Sequence, residues 1–477
     1  MAREHIPTSR VVRSATIGRL AAGQAVRQFG TRAANLTRGE EASDAALARR
    51  QVETAEQIVA VLGTMKGAAM KLGQVMSFLD VGLVPEEYRE EFQRKLAELR
   101  DSAPHVSFKE MRKVIEGEFD EPLDELFAQF DTDPIAAASI GQVYRATLHD
   151  GRVVAVKVQY PGVAEAVRAD LKNLGMIMRL FSRMAPGLDV QALAQEIRLR
   201  IDEELDYELE ASNQRAMARI FRGHPFIHVP EVIGSHSRER VMASELVSGM
   251  RFEQMKELDA PSRNRIGEIV FRFYFGCMYR HHQFSGDPHP GNFILLPDGR
   301  VSFLDFGLYK RLPPELAEYE LQIARLGITG QGEALIAHLH AGGFLAEPDR
   351  STPEQILRQF EDVTWWYTRD GVVALTPEIA TQIVIDMSDP RSRHYSAMRH
   401  ENLPPDHLFG RRTETLTLAV MSQLRATANW HRIAREWIFG DPPATELGRA
   451  EAEFYRLRGY GSEAGSSSRE HRSAAQP

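Results

Sequence analysis

The stretch Gly286–Gly307, GDPHPGNFILLPDGRVSFLDFG, sets Asp287 five residues before Asn292, then crosses a short hairpin pattern to Asp305 in an Asp-Phe-Gly triplet. Phosphoryl transfer needs such a set. One carboxylate orients the attacking group, while an amide and a second carboxylate hold magnesium against the phosphates. Ile294, Leu295 and Leu296 read as a strand, Pro297-Asp298-Gly299 as a turn, and Val301 to Leu304 as the returning strand. The triad of Asp287, Asn292 and Asp305 then sits at the two ends of one hairpin. A β-hairpin with solvated Asp and Asn at its turns is the bland alternative, and D-x4-N alone would favour it. The following LDFG turns the balance toward phosphoryl transfer.

Working outward, Val153 to Val158 reads VVAVKV and places Lys157 on a strand of apolar neighbours. A lysine is costly to bury without a partner, so it should point toward a cleft and an anion. Its own partner should be a glutamate on a helix. Residues 192–220 contain EELDYELE, with Leu193, Ile197, Ile201, Leu205 and Leu209 spaced four apart as one buried stripe. At about 100° per residue, Asp206 and Glu210 share a face and Glu204 lies roughly 160° around from Asp206. One acid can then face Lys157 while another faces a different element. Before the lysine strand runs Ala136-Ala137-Ala138-Ser139-Ile140-Gly141-Gln142, where a Gly-rich phosphate loop would be expected. Methyl groups there keep the backbone from positive φ and from the closest approach to phosphates, so nucleotide should bind with altered phosphate placement.

Bulk numbers agree with an ordinary globular chain. The 477 residues allow two unequal lobes plus an extension, with 43% hydrophobic content for a full core. The formal charge of −8 gives no general case for nucleic-acid binding. The single cysteine, Cys277, cannot close an intramolecular disulfide and reads as a core thiol in a reducing compartment. Only nine of the 58 basic residues are lysine, an arginine bias that suggests a bacterial, GC-rich origin. No run reaches the ~18 apolar residues of a membrane span; Ile58 to Leu79 is interrupted by Lys66, Lys71 and Gln74. The first 38 residues carry seven arginines against one acid, Glu4. Three readings of that arm stay open: a mitochondrial-type presequence, a basic helix on an anionic membrane surface, or a solvated arm. Nothing in the residues specifies an oligomeric state.

The organisation read from these patterns is a basic helical arm (1–60), a helical extension (61–130), a strand-rich lobe with one long helix (131–247), a helical lobe (248–461) and a polar tail (462–477) expected to be disordered. Residues 161–222 read as helical, HVPEVIG and RVMASELV as further strands, and residues from Phe252 onward as helical apart from the hairpin. That is an α+β, two-lobed kinase-like plan, with Met242 to Leu246, Glu245 included, as the interlobe hinge that reads adenine. Asp305-Phe306-Gly307 is followed almost at once by PPELAEYELQIARL, a Pro-started helix, leaving no room for a long activation segment.

The chain resembles the UbiB/ADCK family of atypical kinase-like proteins from about residue 60 to about 310, and through the C-terminal lobe. The family's K-x-G-Q signature stands as Lys71-Leu72-Gly73-Gln74, its alanine-rich loop as AAASIGQVY with Val143, and its strand lysine as Lys157 in VAVKVQYPGV. Its E-x-D motif falls on Glu204-Leu205-Asp206 and its lysine-pairing glutamate on Glu210, while DPHPGN and LDFG supply Asp287, Asn292 and Asp305. The resemblance implies binding of ATP and Mg2+, with an extension lying over the cleft where a peptide would dock. It also implies a tie to quinone or other isoprenoid-lipid metabolism. Lys157 would hold phosphates, Glu210 would position Lys157, Asp287 would orient water or a lipid hydroxyl, and Asn292 and Asp305 would hold the metal. Ala136 to Gly141, Val143, Met242 and Glu245 would line the nucleotide. Lys71 would meet Glu204 or Asp206 at the cleft mouth. Departures are Ser285-Gly286, where relatives often carry a histidine before the aspartate, and the lack of a visible span, which leaves peripheral contact at the inner face of the cell membrane. The rivals are an aminoglycoside- or choline-type phosphotransferase and a nucleotide-gated lipid-binding scaffold with little turnover.

Overall fold

The alternation on either side of His149-Asp150-Gly151 becomes the centre of an antiparallel sheet. The computed structural model describes residues 106–138, 140–171, 190–388 and 402–459. Lys71, Gly73, Gln74 and Ser139, the arm and the polar tail lie outside those residues. A helix, α1 (Phe108–Phe119), precedes strands β1 (Gln129–Phe130), β2 (Ala136–Ala138), β3 (Gly141–Thr147) and β4 (Val153–Gln159). Val154, Val156 and Val158 are buried with Met111 and Ile115 of α1, so the core of the first lobe reaches N-terminal of residue 131. Gly141 begins β3 because a Cβ there would overlap the Val158 carbonyl.

Residues 161–222 are not one helix. Their described part forms α2 (Val163–Leu171), α3 (Val190–Glu204) and α4 (Tyr207–Phe221). The break between α3 and α4 has a local cause. Asp206 sits in extended geometry and its side chain accepts from the amides of Glu208 and Leu209 at 2.9 and 3.1 Å, capping α4. The expected shared face of Asp206 and Glu210 is therefore corrected, since Asp206 is outside the helix. The apolar stripe holds through Ile197, Ile201 and Leu205, which are buried, but the break re-phases the chain and leaves Leu209 exposed.

After β5 (Ile227–His228) and β6 (Val241–Glu245), the small-lobe sheet is complete in the order β1-β3-β4-β6, with β2 on β3. The hinge then drops onto the second lobe. Met250 donates to the Leu295 carbonyl at 2.9 Å and accepts from Leu295 at 3.0 Å, and Gly249 must lack a Cβ to let Leu295 approach. The second lobe is built on α5 (Ala260–Tyr279), in which every residue from Ile266 to Met278 is buried, as a core helix surrounded on all sides must be. Around it stand β7 (Gln283–Ser285), β8 (Phe293–Leu295), β9 (Val301–Phe303), β10 (Tyr309–Arg311), α6 (Pro314–Ile328), α7 (Pro353–Thr368), α8 (Pro405–Gln423), α9 (Trp430–Ile438) and α10 (Glu446–Leu457). The hairpin reading holds: Phe293 pairs with Phe303 and Leu295 with Val301. Helix from Phe252 onward with one hairpin does not hold. β7 pairs with β10, and Val373–Ala374 pairs with Thr427–Ala428; these strands are too short for periodicity to reveal.

Candidate active site

Cross-strand register puts Ala136 opposite Val143, Val143 opposite Lys157, and Lys157 opposite Met242. Directly paired residues share a sheet face, so these four form one row across four strands. The row begins on the alanine-rich strand and ends on the strand leading into the hinge. Ala137 points to the other side of β2, Ile140 is buried under the turn, and Ala138 pairs with Gly141. Glu245 turns its carboxylate toward His228, at 3.4 Å, which holds it below the usual carboxylate range.

Lys157 Nζ donates to both carboxylate oxygens of Glu210 at 2.8 Å. Glu210 is nearly sealed at 3% exposure, while Lys157 keeps 22%. Tyr207 lies under the ammonium, 4.7 Å from ring centroid to Nζ. Burial disfavours the lysine charge, but Glu210, Tyr207 and Asp305 outweigh it and hold the pKa above the ordinary lysine value. The pairing thus favours the charged form and fixes the ammonium, while part of the side chain stays accessible. The adjacency of Tyr207 to the Glu204–Asp206 motif gave no sequence signal for this aromatic support.

Across from the lysine row, the antiparallel hairpin brings its two ends to one mouth. Leu304 donates to the Asn292 carbonyl at 2.8 Å, and Gly286 donates to the Leu308 carbonyl at 2.6 Å through the β7–β10 pair. Asn292 spends its amide NH2 on Asp287, reaching its carbonyl at 3.0 Å and Oδ2 at 3.3 Å. That turns the Asn292 side-chain oxygen, the atom a hard cation takes, away from Asp287. Asp305 Oδ1 accepts from Gly307 N at 2.9 Å, which sets the carboxylate rotamer. Asn213 of α4 reaches the Phe306 carbonyl at 3.4 Å, so the Glu210 helix also braces the Asp-Phe-Gly segment.

Gly307 marks the point where these parts meet. A Cβ there would lie 3.4 Å from Asp305 Oδ1, from Glu204 Cγ and from Glu210 Oε2 alike. Glu204 and Glu210 were expected on different faces of one helix; instead they converge from the facing ends of two helices. The Asp206 side chain is the α4 cap. A residue that sequence reasoning missed is Arg412 of α8, whose guanidinium donates to the Gly286 carbonyl and lies 3.7 Å from Asp287 Oδ1. No spacing rule could have linked it to a motif more than a hundred residues upstream.

An ABC1 atypical kinase-like domain model matches residues 98–326. The chain is 29% identical over 333 residues to the rat protein "Atypical kinase COQ8B, mitochondrial", covering 69% of this chain and 62% of that one. It is 31% identical over 362 residues to the Caenorhabditis elegans "Atypical kinase coq-8, mitochondrial", covering 73% of this chain and 47% of that one. The chain thus spans about half the length of such curated relatives. A Mycobacterium tuberculosis protein solved in complex with erythromycin superposes with a TM-score of 0.59 at 30% identity, over 84% of this chain and 100% of that one. The shared domain, the relatives and the two-lobed α+β architecture agree with the motif order, and the chain belongs to the ABC1 (UbiB/ADCK) family of atypical kinase-like proteins.

Proposed function

We propose that the cleft between the lysine row and the hairpin mouth binds Mg-ATP and hydrolyses or transfers its γ-phosphate, in support of quinone or isoprenoid-lipid metabolism. The observation that carries this reading is the convergence at Gly307. Glu210, which holds Lys157, and the Asp305 carboxylate meet at Gly307, and Asn292 orients Asp287 at the start of the same hairpin. Lys157 would take phosphate oxygens, with Ala136, Val143 and Met242 beneath the base and the Glu245–Leu246 backbone at its edge. Asn292 and Asp305 offer oxygen donors that fit magnesium, which is usually held by one or two protein ligands plus phosphates and water. Among the described residues no three His, Cys, Asp or Glu side chains form a ready-made cage, as that mode of binding requires none. When bound, the metal would neutralise charge on the phosphate oxygens. Asp287 would orient the attacking hydroxyl and take its proton.

The Lys71–Gln74 segment is proposed to cover the cleft against peptides, with Glu204 as its anchor. Among the described residues no helix is long and apolar enough to cross a membrane. The seven-arginine arm supports peripheral contact with an anionic surface, on the inner face of a bacterial membrane. The relative bound to erythromycin, a bulky lipophilic ligand, favours a second reading as a nucleotide-gated binding protein with little turnover. Turnover separates the two. ATP hydrolysis by the pure protein, with and without liposomes and quinone precursors, should fall by about 10²-fold or more in Asp287→Asn while Mg-ATP binding is kept. Equal rates in parent and variant would refute the enzyme reading.

A further inference from the structure

Two consecutive arginines on α8 lead into different networks. Arg411 turns to Glu320 at 2.6 Å and Glu414 at 3.6 Å, in a polar group beside Tyr279, on the side of the helix lined by α5 and α6. Arg412 turns to the catalytic loop. One nitrogen donates to the Gly286 carbonyl and the other stands 3.7 Å from Asp287 Oδ1, with the side chain 5% exposed. Its neighbours Thr413 and Thr417 bond carbonyls of their own helix, Phe409 and Thr413, at 2.8 and 2.6 Å. Burial pulls the Arg412 pKa down, and Asp287 and Glu204 oppose that pull. A buried guanidinium is expensive and needs partners that offset its desolvation.

We propose that Arg412 is a positioning residue for Asp287, holding the Gly286 main chain and the Asp287 carboxylate with the two arms of one guanidinium, with Glu204 balancing its charge. The role rests on the reading of Asp287 as the group that orients the acceptor. Asn292 grips Asp287 from Oδ2 and Arg412 approaches Oδ1, so the carboxylate is confined from both sides. A rigid planar fork can fix a carbonyl and a carboxylate together; a lysine can reach one at a time. Displacing a reacting group by ~1 Å can cost about 10² in rate without loosening substrate.

The test is a double-mutant cycle in the full chain, reading kcat, KM and thermal stabilisation by Mg-ATP. Arg412→Gln should lower kcat about 10- to 100-fold with KM and Mg-ATP stabilisation nearly unchanged. Arg412→Lys should recover part of the loss and serves the same cycle if the glutamine variant does not fold. In an Asp287→Asn background either substitution should cost less than about threefold, because the group being positioned is already disabled. Arg411→Gln, on the same helix, should lower the melting temperature while leaving kcat within about twofold. Additive losses in the two backgrounds, or a raised KM with kcat kept, would overturn the positioning role alone. A parent protein without turnover would overturn the proposed function, and the role with it.

Discussion

The Arg272 and Lys157 clusters, both buried, look alike by composition and differ in what they leave open. In the second lobe Arg272 has no exposed side-chain surface. It bonds Glu268 at 2.7 Å, Glu436 at 2.8 Å and Glu451 at 3.0 Å, and it also donates to Thr445, tying α5 to α9 and α10. Every arm of its guanidinium is spoken for within the protein. Lys157 has a bidentate partner in Glu210 and yet keeps 22% exposure, with Asp305 close enough to favour its charge. Both cations have a pKa raised above the ordinary value, after burial is outweighed by carboxylates. Perturbed titration therefore does not separate scaffold from site here. Access to the cleft does.

The two clusters should part most sharply when Arg272 is replaced. Arg272→Met takes the cation away from Glu268 and Glu436, leaving Glu451 only the Arg280 cation at 3.2 Å, and should cost about 3–5 kcal/mol of stability, seen as a lowered denaturant midpoint. Below its melting temperature the variant should keep its stabilisation by Mg-ATP. Lys157→Met should do the reverse: a smaller loss of stability, because a single buried carboxylate, Glu210, loses its cation rather than several, and a fall in ATP turnover of about 10²-fold. If Lys157→Met proved the less stable of the two while keeping turnover, the roles would be exchanged.

A smaller effect sharpens the contrast through pH. His224 lies beside the Arg272 cluster, with Nε2 3.8 Å from Glu451 and its Nδ1 accepting from Ile227 N at 3.1 Å. Burial, then His281 and Arg280, depress it from 6.5 to about 2, and burial with Arg280 depresses His281 to about 3. The unfolded chain takes up protons below pH 6.5 that the folded chain refuses. Stability is thus full above that pH and falls as pH drops toward 3. His224→Gln should remove one proton's share of that slope, about 1.4 kcal/mol per pH unit. An unchanged slope between pH 6 and pH 4 in chemical denaturation would contradict the assignment. The C-terminal helix joins this same scaffold: Arg458 donates to the Arg219, Ile220 and Arg222 carbonyls, closing the end of the helix that carries Glu210.

Much of the site was legible because its residues come as local motifs. The lysine strand, the hairpin and the Asp-Phe-Gly triplet each announce themselves within a few residues, and strand alternation placed Lys157 on its face. The helix break at Asp206 was missed because an unbroken apolar spacing of four overrode the weaker N-cap preference of a single aspartate. Tyr207, Arg412 and the Arg272 cluster were invisible for another reason. Their partners come from strands, loops and helices far apart in sequence, and a buried arginine in a helix reads like a surface one. The convergence of Glu204 and Glu210 needed the break itself.

The proposed magnesium-nucleotide cleft holds its metal at Asp305. Thermal stabilisation by ATP, measured with and without magnesium on the parent and on Asp305→Asn, tests it most directly. Magnesium should stabilise the parent with ATP, that stabilisation should collapse in the variant, and the melting temperature without ligand should stay unchanged. Equal stabilisation of parent and variant by Mg-ATP would contradict it.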